Sequence, residues 1–268
     1  MDEPVLSPEE RQALNGGQWF ASLSPSLRHD LVRHGTVRRF ADGEPVFLRG
    51  QDSTCWGAVV RGNVRVSTSH PGGKQLSLCY MRPGLWFCDV SVLHDEPRSY
   101  DAHAHGPAAM LMVSLEHAQA MLRQHQELYG ALLKLHAART RQLFELLQDL
   151  QTLSLRERIA KQFTLLARRY GVPSLRQGGE IRIGLRLGQE ELAQLVSASR
   201  QRVNRELQEM RAEGLLGMEQ GRWLVRDLAG LQRVAGGEPA RTAQRPASVD
   251  RGAGRSANTG AGLALAAA

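Results

Sequence analysis

Hydrophobic positions along this chain change their spacing several times, and each change predicts a different kind of element. Between Thr36 and Ser114 the apolar residues come in short runs rich in β-branched and aromatic types: TVRRF, EPVFLRG, CWGAVVRGNVRVSTS, KQLSLCYM, LWFCDVSVL and AAMLMVS. Asp42-Gly43, Arg61-Gly62-Asn63, Pro71-Gly72-Gly73 and Pro83-Gly84 punctuate them. Short runs separated by such turns predict antiparallel strands closing into a barrel or roll, with AVVRGNVRV read as a strand pair. Upstream, residues 1–34 read as a polar lead-in where Pro8-Glu9-Glu10 and Ser24-Pro25-Ser26-Leu27 can each open a helix.

From Leu115 to Leu153 there is no proline and no strand texture, and only Gly130 interrupts the helix formers. LEHAQAMLRQH predicts a short helix. Leu132, Leu135, Leu143, Leu146, Leu147, Leu150 and Leu153 then mark a long helix whose stripe is too apolar to face water and needs a partner. A further helix is expected over Leu155 to Arg169. Past Arg233 the residues are Gly, Ala, Arg, Ser and Pro without an apolar period, which predicts a disordered tail over 236–268.

The stretch Gln189 to Met210 reads as two short helices broken by a tight turn. Leu192, Ala193, Leu195 and Val196 face inward on the first, and Val203, Leu207 and Met210 on the second. Ser199 is placed to cap the second helix. Its outward stripe, Arg200, Gln201, Asn204, Arg205 and Gln208, contains no acid. Arginine forks pair with guanine O6/N7 and side-chain amides with adenine N6/N7, so this face suits readout of a DNA major groove. Arg202 lies off the stripe, within reach of phosphate at most. Glu213-Gly214 closes the helix, and Gly217 to Val225 predicts a hairpin turning at Gln220-Gly221-Arg222, a wing behind the helix-turn-helix.

The distribution of charge agrees with that reading. Of the formal net charge of +7, residues 1–153 contribute 15 basic against 16 acidic side chains, residues 154–235 contribute 15 against 9, and 236–268 contribute 4 against 2. The basic excess therefore sits where phosphate binding is expected. Three cysteines, Cys55, Cys79 and Cys88, fit neither a disulfide framework nor a zinc spacing. The acidic N-terminus lacks a signal core, and no apolar run approaches the ~20 residues of a membrane span, so a cytoplasmic protein without membrane contact is expected. No Ser/His/Asp, Cys/His or paired-carboxylate arrangement appears, which speaks against an enzyme. His103 and His105 share one strand face but lack a third ligand, and no metal is expected.

QEELAQLVSASRQRVNRELQEMRAEGLL resembles the Crp/Fnr superfamily of bacterial transcription regulators. Its S-R-x-x-V-x-R recognition segment is matched by Ser199, Arg200, Val203 and Arg205. The resemblance implies that Arg200, Gln201 and Arg205 read bases. The cyclic AMP receptor branch has Glu where Gln201 stands, and Ser197 takes the place of the usual turn glycine. EPVFLRGQ, AVVRGNVRV and PGLWFCDVSVLHDEPRSYDA resemble the cyclic-nucleotide-binding roll. Its phosphate cassette places Asp89 at the ribose-binding Glu and Pro97-Arg98-Ser99 at the phosphate-binding segment. Cys88 replaces the cassette glycine and Tyr100 its alanine. Counting back from Arg158-Ile159-Ala160 puts Leu143 and Phe144 where that branch has two adenine-binding hydroxyl residues.

The resemblance implies an α+β chain with a lead-in over 1–24 and a cyclic-nucleotide-binding-like effector domain over 25–125. A dimerisation helix over 126–153 and a winged helix-turn-helix domain over 154–235 follow. It implies a homodimer on a pseudo-palindromic operator in double-stranded DNA, with RNA polymerase as a further partner. Leu and Phe cannot pair the polar edge of a base, so cyclic AMP is expected to bind weakly or not at all. Arg98 still favours a phosphate-bearing or otherwise anionic ligand, a cyclic nucleotide or another anionic effector, so the expectation is a regulator with a divergent effector or with none. The rival reading is a ligand sensor acting through protein contacts without specific DNA binding.

Overall fold

The computed structural model describes residues 6–69, 75–94, 96–174 and 179–236. It divides within the long helix, one unit running to Leu146 and the other beginning at Leu147. Three helices open the first unit: α1 (Pro8–Asn15), α2 (Gln18–Ala21) and α3 (Pro25–Arg33). Ser7 and Glu10 form a capping box on α1, and the Ser24 hydroxyl accepts from the Leu27 amide at the start of α3. Both starts therefore satisfy amides that a helix leaves unpaired. Leu14, Trp19, Phe20 and Leu27 are buried in one cluster with Trp56, Trp86 and Leu111 of the roll. The boundary expected between residues 24 and 25 thus has no counterpart in the packing, because the helices cover one face of the sheet.

The roll consists of β1 (Gly35–Phe40), β2 (Pro45–Phe47), β3 (Cys55–Ser69), β4 (Gln75–Met81) and β5 (Trp86–Phe87), then the one-turn α4 (Val90–Leu93) and β6 (Asp101–Ser114). Its strands are antiparallel in the order β1-β6-β3-β4, with β2 added to β6 and β5 to β3. Two expectations are corrected. LWFCDVSVL is a strand only over Trp86–Phe87 and turns helical at Val90, and AVVRGNVRV is one continuous strand. β3 and β6 stay paired from Cys55↔Ser114 to Ser67↔Asp101 by absorbing register shifts on either side of Arg61. A bulge bends both strands without breaking the ladder, which a Gly-rich stretch in sequence does not distinguish from a turn. Gly62 sits at that bend with φ +70°.

The first unit continues with α5 (Leu115–Gln124) and α6 (Glu127–Thr152). Leu128, Leu132 and Leu135 bury the first half of α6 in the cluster that holds the tryptophans, and Trp19 Nε1 donates to the Ala131 carbonyl at 3.0 Å. Leu143, Phe144, Leu146 and Leu147, further along, are exposed.

The second unit contains α7 (Leu155–Tyr170), β7 (Gly171–Pro173), β8 (Ile181–Ile183), α8 (Gln189–Leu195), α9 (Arg200–Ala212), β9 (Leu216–Glu219), β10 (Arg222–Val225) and α10 (Leu228–Val234). Its sheet runs β7-β8-β10-β9, so the expected wing hairpin, β9 and β10, is paired on its other edge to β8. Gln220 and Gly221 both take positive φ in the two-residue turn. Phe163, Val203, Leu207, Met210 and Trp223 form the buried centre, with Trp223 Nε1 donating to the Leu187 carbonyl at 3.0 Å. The tail expected from 236 onward lies, past Gly236, outside the described residues.

Two left-handed glycines separate backbone strain from crowding. A Cβ on Gly43, φ +76°, meets nothing within 4 Å, whereas one on Gly62 would stand 2.2 Å from the Pro107 carbonyl oxygen. Gly43→Ala should cost the roll about 1–2 kcal/mol through its backbone alone. Gly62→Ala should cost a further ~1–3 kcal/mol, because backbone must move. Urea unfolding followed by tryptophan fluorescence checks this, and equal losses for the two variants would contradict it.

Candidate DNA interface and effector site

The two helices of the helix-turn-helix are joined through Ser197, whose φ of 52° is left-handed. This is the position where the resemblance expects glycine, so serine adopts the backbone that the tight turn requires. The Ser199 hydroxyl accepts from the Arg202 amide at 3.4 Å and caps α9. Val203, Leu207 and Met210 are buried, while Arg200, Gln201, Arg205 and Gln208 are exposed and Asn204 is half-exposed. Arg202 is exposed on the flank of that stripe.

The acids of α9 point elsewhere. Arg156 of α7 bonds Glu213 and lies 3.8 Å from Glu209 and 3.9 Å from Glu206. One guanidinium thus draws three carboxylates toward α7 and leaves the opposite face of α9 electropositive. Arg205 Nε bonds Glu209 at 3.1 Å, an exposed pair worth only a few tenths of a kcal/mol. Beside the wing turn, burial and the neighbouring charges of Arg186 and Arg182 lower the pKa of Arg222.

In the roll, Asp89 is fully buried. Its Oδ1 accepts from Arg139 Nη1 at 2.5 Å, and its Oδ2 lies 2.9 Å from His136 Nε2, at ion-pair distance but without hydrogen-bond angles. Arg139 Nη2 also donates to the Trp86 carbonyl at 2.6 Å. Burial pushes the Asp89 carboxyl up, yet His136 and Arg139 outweigh it and hold the group below the usual carboxylate range.

Arg98 is 6% exposed. Its Nη2 donates to the Cys55 carbonyl at 2.5 Å, its Nη1 lies 3.4 Å from Ser91 Oγ, and its guanidinium stands 4.5 Å above the Phe47 ring. The Nε has no partner, and no carboxylate of the described residues pairs with this arginine. Cys88 is buried with φ +70°, a conformation its glycine counterpart would take without strain. Its Sγ lies 4.0 Å from the Tyr100 hydroxyl, so the two larger replacements in the cassette meet each other. Burial pushes the Cys88 thiol up to about 12 and raises the Tyr100 phenol, which leaves both neutral.

Cys88, Asp89, Arg98 and Tyr100 are therefore brought to one region, and Ser99 is exposed beside it. Leu143 and Phe144 are not: at 49% and 67% exposure they lie outside the apolar cluster around Cys88. Sequence reasoning missed Arg139 and His136, which neutralise Asp89, and Phe47 beneath Arg98. A His and an Arg three residues apart on one helix were the available signal, but nothing local named their partner about fifty residues away. Arg156 was missed for the same reason.

Residues 37–125 match the model of the cyclic nucleotide-binding domain, and residues 157–234 that of the Crp-like helix-turn-helix domain. The chain is 30% identical over 200 residues to the transcriptional regulator LdrP of Thermus thermophilus, covering 75% of this chain and 97% of LdrP. It is 29% identical over 216 residues to a CRP-like cAMP-activated global transcriptional regulator of Mycobacterium tuberculosis, covering 81% and 95%. A solved CRP-family transcriptional regulator, also from Thermus thermophilus, superposes with a TM-score of 0.63 at 28% identity, over 75% of this chain and 97% of that one. With a nucleotide-binding roll, a long helix and a Crp-like helix-turn-helix in one order along the sequence, the chain belongs to the Crp/Fnr family of transcription regulators.

Proposed function

We propose that this regulator binds a pseudo-palindromic operator as a homodimer and that an anion held in the roll controls it. The observation that carries the DNA-binding reading is the acid-free face of α9. Arg200, Gln201, Asn204, Arg205 and Gln208 are presented outward, while Arg156 lies near Glu206 and Glu209 on the flank of the helix and Glu209 also bonds Arg205. Arg200 and Arg205 read guanines, Gln201 and Asn204 offer amides to adenine, and Gln208 extends the face. Ser199 orders the first turn of the helix against the phosphate backbone. RNA polymerase is the machinery on which such a complex acts.

The dimer is supported by Leu143, Phe144, Leu146 and Leu147, neighbouring apolar side chains on α6 that the described residues leave exposed. Surfaces of this kind mark association sites, and a two-fold pairing of α6 suits a two-fold operator. Residues 126–153 form the dimerisation helix in this reading, between the effector unit and a DNA-binding domain over 154–235. Leu143 and Phe144, which the family resemblance aligns with the adenine-binding positions, offer no hydrogen bond to a base, whereas Arg98 with Ser99 retains the means to bind an anion.

Each bidentate guanine contact is worth about 1–3 kcal/mol of discrimination. Arg200→Ala and Arg205→Ala should each lower the ratio of operator to random-DNA affinity by about 5- to 150-fold at one position per half-site. Gel shifts over a salt series measure that ratio. Wild-type ratios in both variants would sink the assignment, and the lack of a steep negative salt slope in wild type would favour a sensor that acts through protein contacts.

Leu146→Asp or Leu150→Asp should turn a dimer into a monomer in analytical ultracentrifugation, because a carboxylate in the α6 seam would be buried without a partner. A monomeric wild type is the contrary result.

A further inference from the structure

Arg98 is a buried cation without a counter-charge among the described residues. Its hydrogen-bonding partners are the Cys55 carbonyl and the Ser91 hydroxyl, with the Cys55 sulfur at 3.7 Å, and its Nε is unpartnered. The thiol of Cys88 and the phenol of Tyr100 beside it stay protonated, so neither supplies an anion. Removing an arginine from water without a partner is costly, and an arriving anion reverses that cost.

The rest of the site restricts what that anion is. The nearby Arg139 is committed to Asp89 and to the Trp86 carbonyl, which leaves the Arg98 guanidinium as the group that faces a ligand's charge. Asp89 itself is fully buried behind those partners and is not presented to a ribose. Around Arg98 the surroundings are apolar and tight: Phe47 lies under the guanidinium, the Tyr100 ring centroid is 5.8 Å from that of Phe47, and the Cys88 side chain occupies the space a glycine would leave. A single guanidinium over aromatic rings matches a planar monoanion with a flat apolar body.

We propose that the roll takes a compact aromatic monocarboxylate, its carboxylate on Arg98 and its ring against Phe47 and Tyr100, in place of a cyclic nucleotide. This rests on the effector role assigned above to the roll. Benzoate is the probe, compared by calorimetry on the full chain with propionate, inorganic phosphate and cyclic AMP. Benzoate should bind about tenfold or more tightly than propionate, since the ring buries more apolar area, and more tightly than phosphate or cyclic AMP.

Arg98→Met should abolish benzoate binding, and Arg98→Lys, which keeps the charge but loses the fork, should weaken it about tenfold. If the methionine variant does not fold, the lysine variant and the order of the four ligands still decide. Cyclic AMP binding as tightly as benzoate, benzoate binding unchanged by both substitutions, or no benzoate binding at all would each overturn the proposal. Gel shifts on the same preparations keep the two readings apart: loss of operator binding with benzoate binding intact strikes the regulator reading alone.

Discussion

A carboxylate with no access to water has to be neutralised from within, and Asp89 imposes that condition on the roll. Because it is fully buried, it draws Arg139 and His136 from α6, and Arg139 in turn takes the Trp86 carbonyl. Removing one partner of such a buried pair typically costs about 3–5 kcal/mol. The ionic contact ties α6 to the cassette beside the buried apolar contacts of Leu132 and Leu135. Trp86 carries the constraint onward, since its ring packs with those of Trp56 and Trp19 at 4.6 and 5.6 Å and joins the N-terminal helices to the same cluster. The acid that the family resemblance assigns to a ribose is here a structural tie between strand and helix.

The second unit solves a related problem with opposite sign. Its recognition helix carries both acids and bases, and DNA binding requires that they be sorted. Arg156 performs the sorting by engaging Glu206, Glu209 and Glu213, which recur along one flank of α9. The cap at Ser199 and the buried Val203, Leu207 and Met210 fix the helix rotation, so the exposed arginines and amides share the other face. Arg156 thus gathers acidic side chains on one flank of α9, with Glu209 shared with Arg205.

Both sites also contain a non-glycine residue in the left-handed region: Cys88 at φ +70° and Ser197 at φ +52°. Backbone of this kind costs on the order of 1–2 kcal/mol for an ordinary side chain. It persists where the surroundings over-determine the conformation, here the strand-to-helix corner of the cassette and the turn between α8 and α9. The fold has kept the backbone of both glycine positions while changing the side chain. At Ser197 the side chain is exposed at the turn, whereas at Cys88 it is buried against Tyr100.

By itself the sequence determined what depends on local period and capping. Ser154, Ser199 and Asp227 start their helices with side-chain oxygens, Gly214 at φ +76° closes α9, and the stripes of α6, α8 and α9 follow the 3.6-residue repeat. The exposed stripe of α9 was legible for that reason, since a stripe on one helix is a local property. Tertiary structure decided the rest. The bend at Gly62 became a bulge and not a turn because β6 bends with β3. Residues 6–24 joined the roll because Trp19 and Phe20 bury against Trp86, and Asp89 found Arg139 and His136 fifty and forty-seven residues downstream. Hydrophobic and charged side chains choose such partners by proximity in space, through interactions that carry no trace in local spacing. The unpaired state of Arg98 is likewise visible only once every neighbour has been placed around it.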